Sequence, residues 1–145
     1  MNEFQSLNSE NLKAVSEIEK KCFKSECWSE NLLADEISDD SKKYFVCLTE
    51  NVVSGFGGYA RILDEGHIMN IAVDDKYRRQ GIATEILNKI IEDGFKKGIK
   101  AFTLEVRKSN IGAIRLYEKA GFKSAGIRPH YYPDKEDACI YWLYL

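Results

Sequence analysis

A mixed β-sheet flanked by helices, an α/β fold, is what this sequence predicts, and three observations carry the prediction. Segments of strand and helix periodicity alternate along the chain in the order β-α-α-β-β-β-α-β-α-β-β. One segment, from Ile82 to Phe95, places Ile82, Ile86, Leu87, Ile90, Ile91 and Phe95 on a single apolar stripe at helical spacing. Two helices run into a glycine, Gly98 and Gly121, where a left-handed C-cap is wanted.

The elements follow in order. Phe4 to Leu7 reads as a short strand, and Asn8 or Ser9 caps a helix in which Leu12, Val15, Ile18, Cys22 and Phe23 recur at helical spacing. Trp28-Ser29-Glu30 opens a second helix carrying Leu32, Leu33 and Ile37, and Ser38 to Ser41 is a short polar connection. Tyr44 to Leu48 and Val52 to Ile62 are paired strands with Glu50-Asn51 at the turn, and His67 to Val73 is another strand. After the long helix, Lys96 and Lys97 complement its dipole. Ala101 to Arg107 is a strand, Ser109 or Asn110 caps a helix that ends at Gly121, and Phe122 follows as in a Schellman ending. Lys123 to Arg128 and Ala138 to Leu145 are the last strands. Gly55-Phe56-Gly57-Gly58 lacks the spacing of a dinucleotide fingerprint and reads as a bulge or close strand contact.

Composition narrows the function classes. With 145 residues, 44% of them hydrophobic, the chain suits one domain spanning 1–145 with a substantial core. A net charge of −2, from 21 basic and 23 acidic residues, argues against binding that rests on phosphate neutralisation of nucleic acid. No basic amphipathic face, spanning apolar run or secretory leader is present, so no membrane partner is expected and cytoplasmic residence is. Cys22, Cys27, Cys47 and Cys139 form no C-x-x-C pair and have no histidine at zinc-ligand spacing, so free thiols and no metal are expected.

The chemistry concentrates in two places. Ile71-Ala72-Val73 runs as a strand into a polar loop, Asp74 to Gln80, then Gly81 and directly the long helix. Arg78 and Arg79 supply charge there, Gly81 allows close backbone approach, and the helix dipole turns its positive end to the loop, which together make an anion cradle. Taken alone, the two arginines fit a solvated basic loop equally well. On the strand Ala101 to Arg107, Phe102, Leu104 and Val106 face one way and Thr103, Glu105 and Arg107 the other. A mid-strand glutamate is costly to cover unless a cleft or partner receives it; a cleft would raise its pKa by desolvation, which suits a base. The bland alternative is an ion pair of Glu105 with Arg107 at the surface, and Tyr117 by itself reads as a core tyrosine. His67, at the beginning of its strand and without an evident partner, and His130, in a loop, are expected to be structural or solvent-facing.

Arg78 to Ala83 resembles the Q/R-x-x-G-x-G/A signature of the GNAT acetyltransferases. Leu104 to Asn110 and Ala113 to Phe122 are similar to the LEVR-x-SN and AI-x-LYE-x-x-GF segments of the ribosomal-protein-alanine N-acetyltransferase type, as are Phe23 with Trp28 to Glu30, Tyr131-Tyr132-Pro133 and Glu136-Asp137-Ala138. The resemblance covers nearly the whole chain. It departs at Cys27, where the family often has proline, and at Asp134-Lys135, where its loop is often longer; both lie towards the expected peptide side.

The resemblance implies a single-domain GNAT fold with a mostly antiparallel central sheet, splayed at the cofactor cleft between the strands of Ile71 and Glu105. It implies acetyl-CoA as donor. The backbone of Ile71, Ala72 and Val73 would hold the pantetheine arm, and that of Arg78, Arg79, Gln80, Gly81, Ile82, Ala83 and Thr84 the pyrophosphate, with Asn110 also touching the cofactor. Glu105 would be the general base and Tyr117 the general acid. The implied acceptor is a protein N-terminus, an N-terminal alanine of a small-subunit ribosomal protein. A different amine as acceptor, or a non-catalytic module that binds acetyl-CoA, are the alternatives.

Overall fold

The computed structural model describes residues 2–23 and 30–145. The strands are β1 (Asn2–Ser6), β2 (Lys42–Thr49), β3 (Val52–Ile62), β4 (Glu65–Val73), β5 (Ala101–Arg107), β6 (Lys123–Arg128) and β7 (Ala138–Tyr144). The helices are α1 (Leu12–Phe23), α2 (Glu30–Ile37), α3 (Ile82–Lys96) and α4 (Ile111–Lys119), with a 3-10 turn at Asp75–Tyr77. This is the expected order. The first strand lies nearer the N-terminus than Phe4 to Leu7, and Leu7 instead is buried beyond its end. The opening of α2 at Trp28-Ser29, Cys27, and the side chains of Phe23 and Leu32 lie outside the described residues.

Hydrogen-bonded strands follow the order β1-β2-β3-β4-β5-β7-β6 in one seven-stranded sheet. β1–β2, β2–β3, β5–β7 and β6–β7 pair antiparallel. The β4–β5 step is parallel and its register runs over three pairs only, Glu65↔Ala101 to His67↔Thr103. Contacts gather into two compact units, Met1–Ala60 with Met69–Asp93, and Arg61–Ile68 with Gly94–Leu145.

In the first unit, Asn8 and Asn11 exchange side chain-to-backbone hydrogen bonds of 2.9 Å each way, a reciprocal cap that sets the start of α1. That start fixes which face of α1 meets the sheet: Leu12, Val15 and Ile18 pack with Leu33, Tyr44, Val46, Phe56 and Ala72. Glu50 and Asn51 both have positive φ, 51° and 68°, the two-residue hairpin turn whose twist matches its strands. The glycines of β3 serve close approach, as the sequence suggests. A Cβ on Gly58 would stand 2.3 Å from the Tyr44 ring, and one on Gly57 2.6 Å from Ile86.

In the second unit, both glycine-ended helices close as Schellman motifs. Gly98 has φ +85°, its N–H bonds to Phe95 O, and the N–H of Ile99 reaches Gly94 O at 2.9 Å. Gly121, at φ +101°, repeats the pattern with bonds from Gly121 N to Glu118 O and from Phe122 N to Tyr117 O. The apolar stripe of the long helix needs one correction. Phe95 is 68% exposed, because Gly94 faces inward instead and the Phe102 ring fills the space a side chain there would take.

Candidate active site

Alternation along β5 is realised as expected: Phe102, Leu104 and Val106 are buried, while Thr103, Glu105 and Arg107 occupy the other face. Because β4 runs parallel beside β5 with His67 opposite Thr103, the His67 side chain reaches Glu105 two residues on. His67 Nε2 lies 2.7 Å from Glu105 Oε2. Arg128, from the end of β6, brings Nη2 to 3.8 Å from the other carboxylate oxygen. These groups, with Glu65, Thr103 and Trp142, line a cavity of about 340 Å³.

Electrostatics here differ from expectation. Glu105 is held below the ordinary carboxylate value, first by the hydrogen bond from His67, which outweighs the opposing effect of burial; Arg128 adds to the lowering. His67 is raised above its ordinary 6.5, again chiefly by that hydrogen bond. A carboxylate raised by its cleft, as the sequence suggested, is therefore replaced by a carboxylate and imidazole that titrate as a pair. His67 is correspondingly not the partnerless residue expected. The surface pair of Glu105 with Arg107 does not form either, since Arg107 Nη1 binds Asp134 and Glu136 instead.

Tyr117 is buried on α4, its ring edge-on to Phe122 with centroids 5.7 Å apart, the contact that completes the Schellman ending. Among the described residues its hydroxyl has no hydrogen-bond partner, and burial pushes its pKa well up. Asn110 is the N-cap of α4, where Oδ1 accepts from the Ala113 N–H at 3.1 Å.

The cradle residues belong to the first unit. Arg79 and Gly81 both take positive φ, 65° and 80°, curling the backbone just ahead of α3. The Glu85 N–H bonds to Gly81 O, so the N–H groups of Ile82, Ala83 and Thr84 have no acceptor within the helix. A Cβ on Gly81 would meet no heavy atom within 4 Å. Open space, unsatisfied amides and the positive end of a helix fit a phosphate. Arg78 is partly committed, pairing with Asp75 at 3.0 Å and donating to Val73 O; the Arg79 side chain is exposed. Cys22, Cys47 and Cys139 are free thiols, no metal-ligand cluster occurs among the described residues, and none of their helices is long and apolar enough to cross a membrane.

A model of the acetyltransferase (GNAT) family matches residues 12–122. The chain belongs to the GNAT family. It is an acetyl-CoA-dependent N-acetyltransferase. Among GNAT relatives, ribosomal protein bS18-alanine N-acetyltransferase of Escherichia coli K12 is 39% identical over 97% of this chain and 95% of that one. The N-alpha-acetyltransferase of Saccharolobus solfataricus is 38% identical over 67% and 66%. The crystal structure of the ribosomal-protein-S18-alanine N-acetyltransferase from E. coli superposes with a TM-score of 0.90 at 37% identity, covering 99% of this chain and 94% of that one. The single-domain α/β GNAT fold expected from the sequence, with a mixed, mostly antiparallel sheet flanked by helices, is thereby borne out.

Proposed function

We propose that the chain acetylates the α-amine of a protein N-terminus, its acceptor being the N-terminal alanine of a small-subunit ribosomal protein. In this reading residues 1–145 work as one catalytic domain, in the cytoplasm where such an acceptor is made. The carrying observation is the 2.7 Å contact of His67 with Glu105 on a cavity wall, an ionised group ready for an ammonium. The names of the relatives from E. coli and S. solfataricus support the acceptor class.

Acetyl-CoA supplies a thioester whose carbonyl the neutral amine attacks directly. An α-amine has a pKa of about 7.7–8.0, so near neutrality only modest help is needed to remove its proton. Glu105 stays ionised through that range, because His67 holds its pKa down, and it receives the ammonium. It takes the proton, directly or through one water, and His67 shares the charge. The pair becomes net negative only above the raised pKa of His67, so transfer rises with pH through that value.

Tyr117 protonates the leaving thiolate and regains, by way of solvent, the proton that the attacking nitrogen sheds on becoming an amide; burial, which raises its pKa, keeps the hydroxyl protonated beforehand. Ile71, Ala72 and Val73 hold the pantetheine arm through their backbone, and one N–H of that strand polarises the thioester carbonyl. Arg78 to Thr84 hold the pyrophosphate at the start of α3. Asn110 reaches the cofactor with its amide nitrogen, its oxygen being engaged in the cap.

The test is a pH–rate profile of wild type and Glu105→Gln on an alanine-starting peptide and on an N-terminally blocked lysine peptide. Transfer to the alanine peptide by Glu105→Gln falls ~10²–10⁴-fold at neutral pH, the usual worth of a positioned base. The deficit shrinks at about pH 8, where the α-amine is already neutral. Equal rates for the two proteins at all pH remove Glu105 from the mechanism. Faster transfer to the blocked lysine overturns the N-terminal acceptor, and no transfer by either protein overturns the catalytic reading.

A further inference from the structure

Glu105 meets two basic side chains and holds them differently. On one oxygen, Oε2, the His67 ring closes to 2.7 Å. Arg128 Nη2 stands 3.8 Å from the other, Oε1, beyond hydrogen-bonding distance. Among the described residues no side chain donates a hydrogen bond to Oε1, and Arg128 donates none at all. The Arg128 side chain is 56% exposed, with the centroid of the Tyr131 ring 5.8 Å from its guanidinium. All three groups of the cluster, Glu105, His67 and Arg128, line the cavity.

An exposed ion pair without a hydrogen bond contributes little to folding. Arg107, on the same face of β5 as Glu105, is a contrast, because Asp134 and Glu136 engage its guanidinium. Arg128 leaves its charge to the cavity. Among the described residues, β4 faces it with His67 and, two residues nearer the start of that strand, with Glu65, roughly 7 Å further off. β5 contributes Glu105, and β7 presents Ile140 and Trp142, which carry no charge. On β6 itself Lys123 lies at the opposite end, across from Trp142 and outside the cavity lining. The Tyr131 phenol completes the set.

Oε1 is the open acceptor of this carboxylate. An ammonium that hydrogen-bonds it comes within roughly 7 Å of Arg128, a ~2.8 Å bond added to the 3.8 Å gap. In a partly solvated cavity, two unit charges of one sign at that separation disfavour each other by roughly ten-fold in an equilibrium. A neutral amine meets no such penalty. Deprotonation passes the proton through the carboxylate to solvent and leaves Glu105 ionised as before. The net event therefore removes one of the two cations, and a cation fixed beside an amine eases the loss of its proton for this reason.

We infer that Arg128 acts on the charge of the acceptor: it disfavours the ammonium form held at Glu105, so that the amine is presented to the thioester uncharged. Arg128 touches no reacting atom. This role rests on the acetyl-transfer reading above, whereas the repulsion of a bound ammonium is read by binding alone.

Arg128→Gln, which removes the charge, and Arg128→Lys, which keeps it, are to be compared with wild type in two measurements. One is calorimetric titration of an alanine-starting peptide into the protein saturated with CoA, and the other is the pH profile of kcat. At about pH 6, where the α-amine is charged, Arg128→Gln is expected to bind the peptide about ten-fold more tightly. At about pH 9, where the amine is neutral, the two affinities should agree within about two-fold. The acid limb of kcat in Arg128→Gln should move up by about one pH unit, while Arg128→Lys follows wild type in both measurements. Loss of a merely structural contact does not tighten binding. Unchanged or weaker binding by Arg128→Gln at the lower pH, or equal tightening at both, overturns the repulsion. Tighter binding with an unmoved kcat limb overturns its effect on transfer. If Arg128→Gln does not fold, Arg128→Met keeps the aliphatic stem and answers in its place. If wild type binds the peptide and acetylates none, the acetyl-transfer reading fails and the titrations still decide the repulsion.

Discussion

A carboxylate and an imidazole 2.7 Å apart each favour the charged form of the other, and the two shifts have opposite consequences with pH. Glu105 is lowered, so its contribution to stability is present above its ordinary value, about 4.5, and lost as pH falls through the depressed one. His67 is raised, so its contribution is complete below its ordinary value, about 6.5, and lost as pH rises through the raised one. The ion pair is thus fully expressed between those two pH values. Titration of the His67 ring followed by NMR should give a midpoint above 6.5 in wild type, and Glu105→Gln should return it towards that value. A wild-type midpoint at or below 6.5 would mean that the contact does not persist in solution. Tyr117 offers a cleaner separation of structure from chemistry. Its hydroxyl has no partner among the described residues, so Tyr117→Phe leaves no polar group orphaned and should change stability by well under about 1 kcal/mol. Loss of acid assistance should still cost ~10²–10⁴-fold in turnover. Near-wild-type turnover would return Tyr117 to a packing role.

Helix ends place much of this site. The Schellman closure at Gly121 ties Phe122 N–H back to Tyr117 O and packs the two rings, so the end of α4 fixes where Tyr117 stands. At the other end Asn110 both starts α4 and spends its oxygen doing so. Two glycines at helix α3 are constrained for different reasons, and substitutions should separate them. In a helix interior Gly→Ala ordinarily gains roughly 0.5–1 kcal/mol. At Gly94 the new Cβ would lie 2.3 Å from the Phe102 ring, so Gly94→Ala should instead destabilise by about 1–3 kcal/mol in a denaturant titration. Gly81 has open space but φ +80°, a conformation that a β-branched residue adopts only with strain. Gly81→Val should therefore destabilise by about 1–3 kcal/mol through backbone strain and cost much in acetyl-CoA affinity, the latter read by calorimetric titration of the folded variant. Unaltered affinity in the folded variant would remove the cradle from cofactor binding.

For the whole molecule, membership of the GNAT family and the agreement with the E. coli structure over 99% of the chain bring together what the separate elements suggest. Each unit has its own apolar packing. In the first, Leu12, Val15 and Ile18 meet the strand residues Val46 and Phe56, and in the second Phe102 covers Gly66 and Gly94. The open face of β5 differs from the buried one only by the two-residue period of the strand, and that period is what sets Glu105 and Arg107 side by side. One position carries the proposed chemistry and the next on that face binds Asp134 and Glu136.

Local physics made most of this legible in the sequence. Strand alternation marked the face of Glu105, helical spacing marked α1 and most of α3, and glycines marked two helix ends, with Phe122 marking the second as a Schellman ending; each signal depends on neighbours within a few residues. The Asn8 cap and the Glu50-Asn51 turn were legible for the same reason. Only the tertiary structure decided the partners. Nothing near His67 in the chain announces Glu105, 38 residues away, because the parallel register that opposes His67 to Thr103 joins strands separated in sequence by a whole helix. The direction of the Glu105 pKa shift followed from that partner rather than from burial. Arg107 likewise bound carboxylates 27 and 29 residues ahead rather than the one beside it, since the loop's return along β7 brings them over its guanidinium. Periodicity assigns a side chain to a face; the register between strands determines what that face meets.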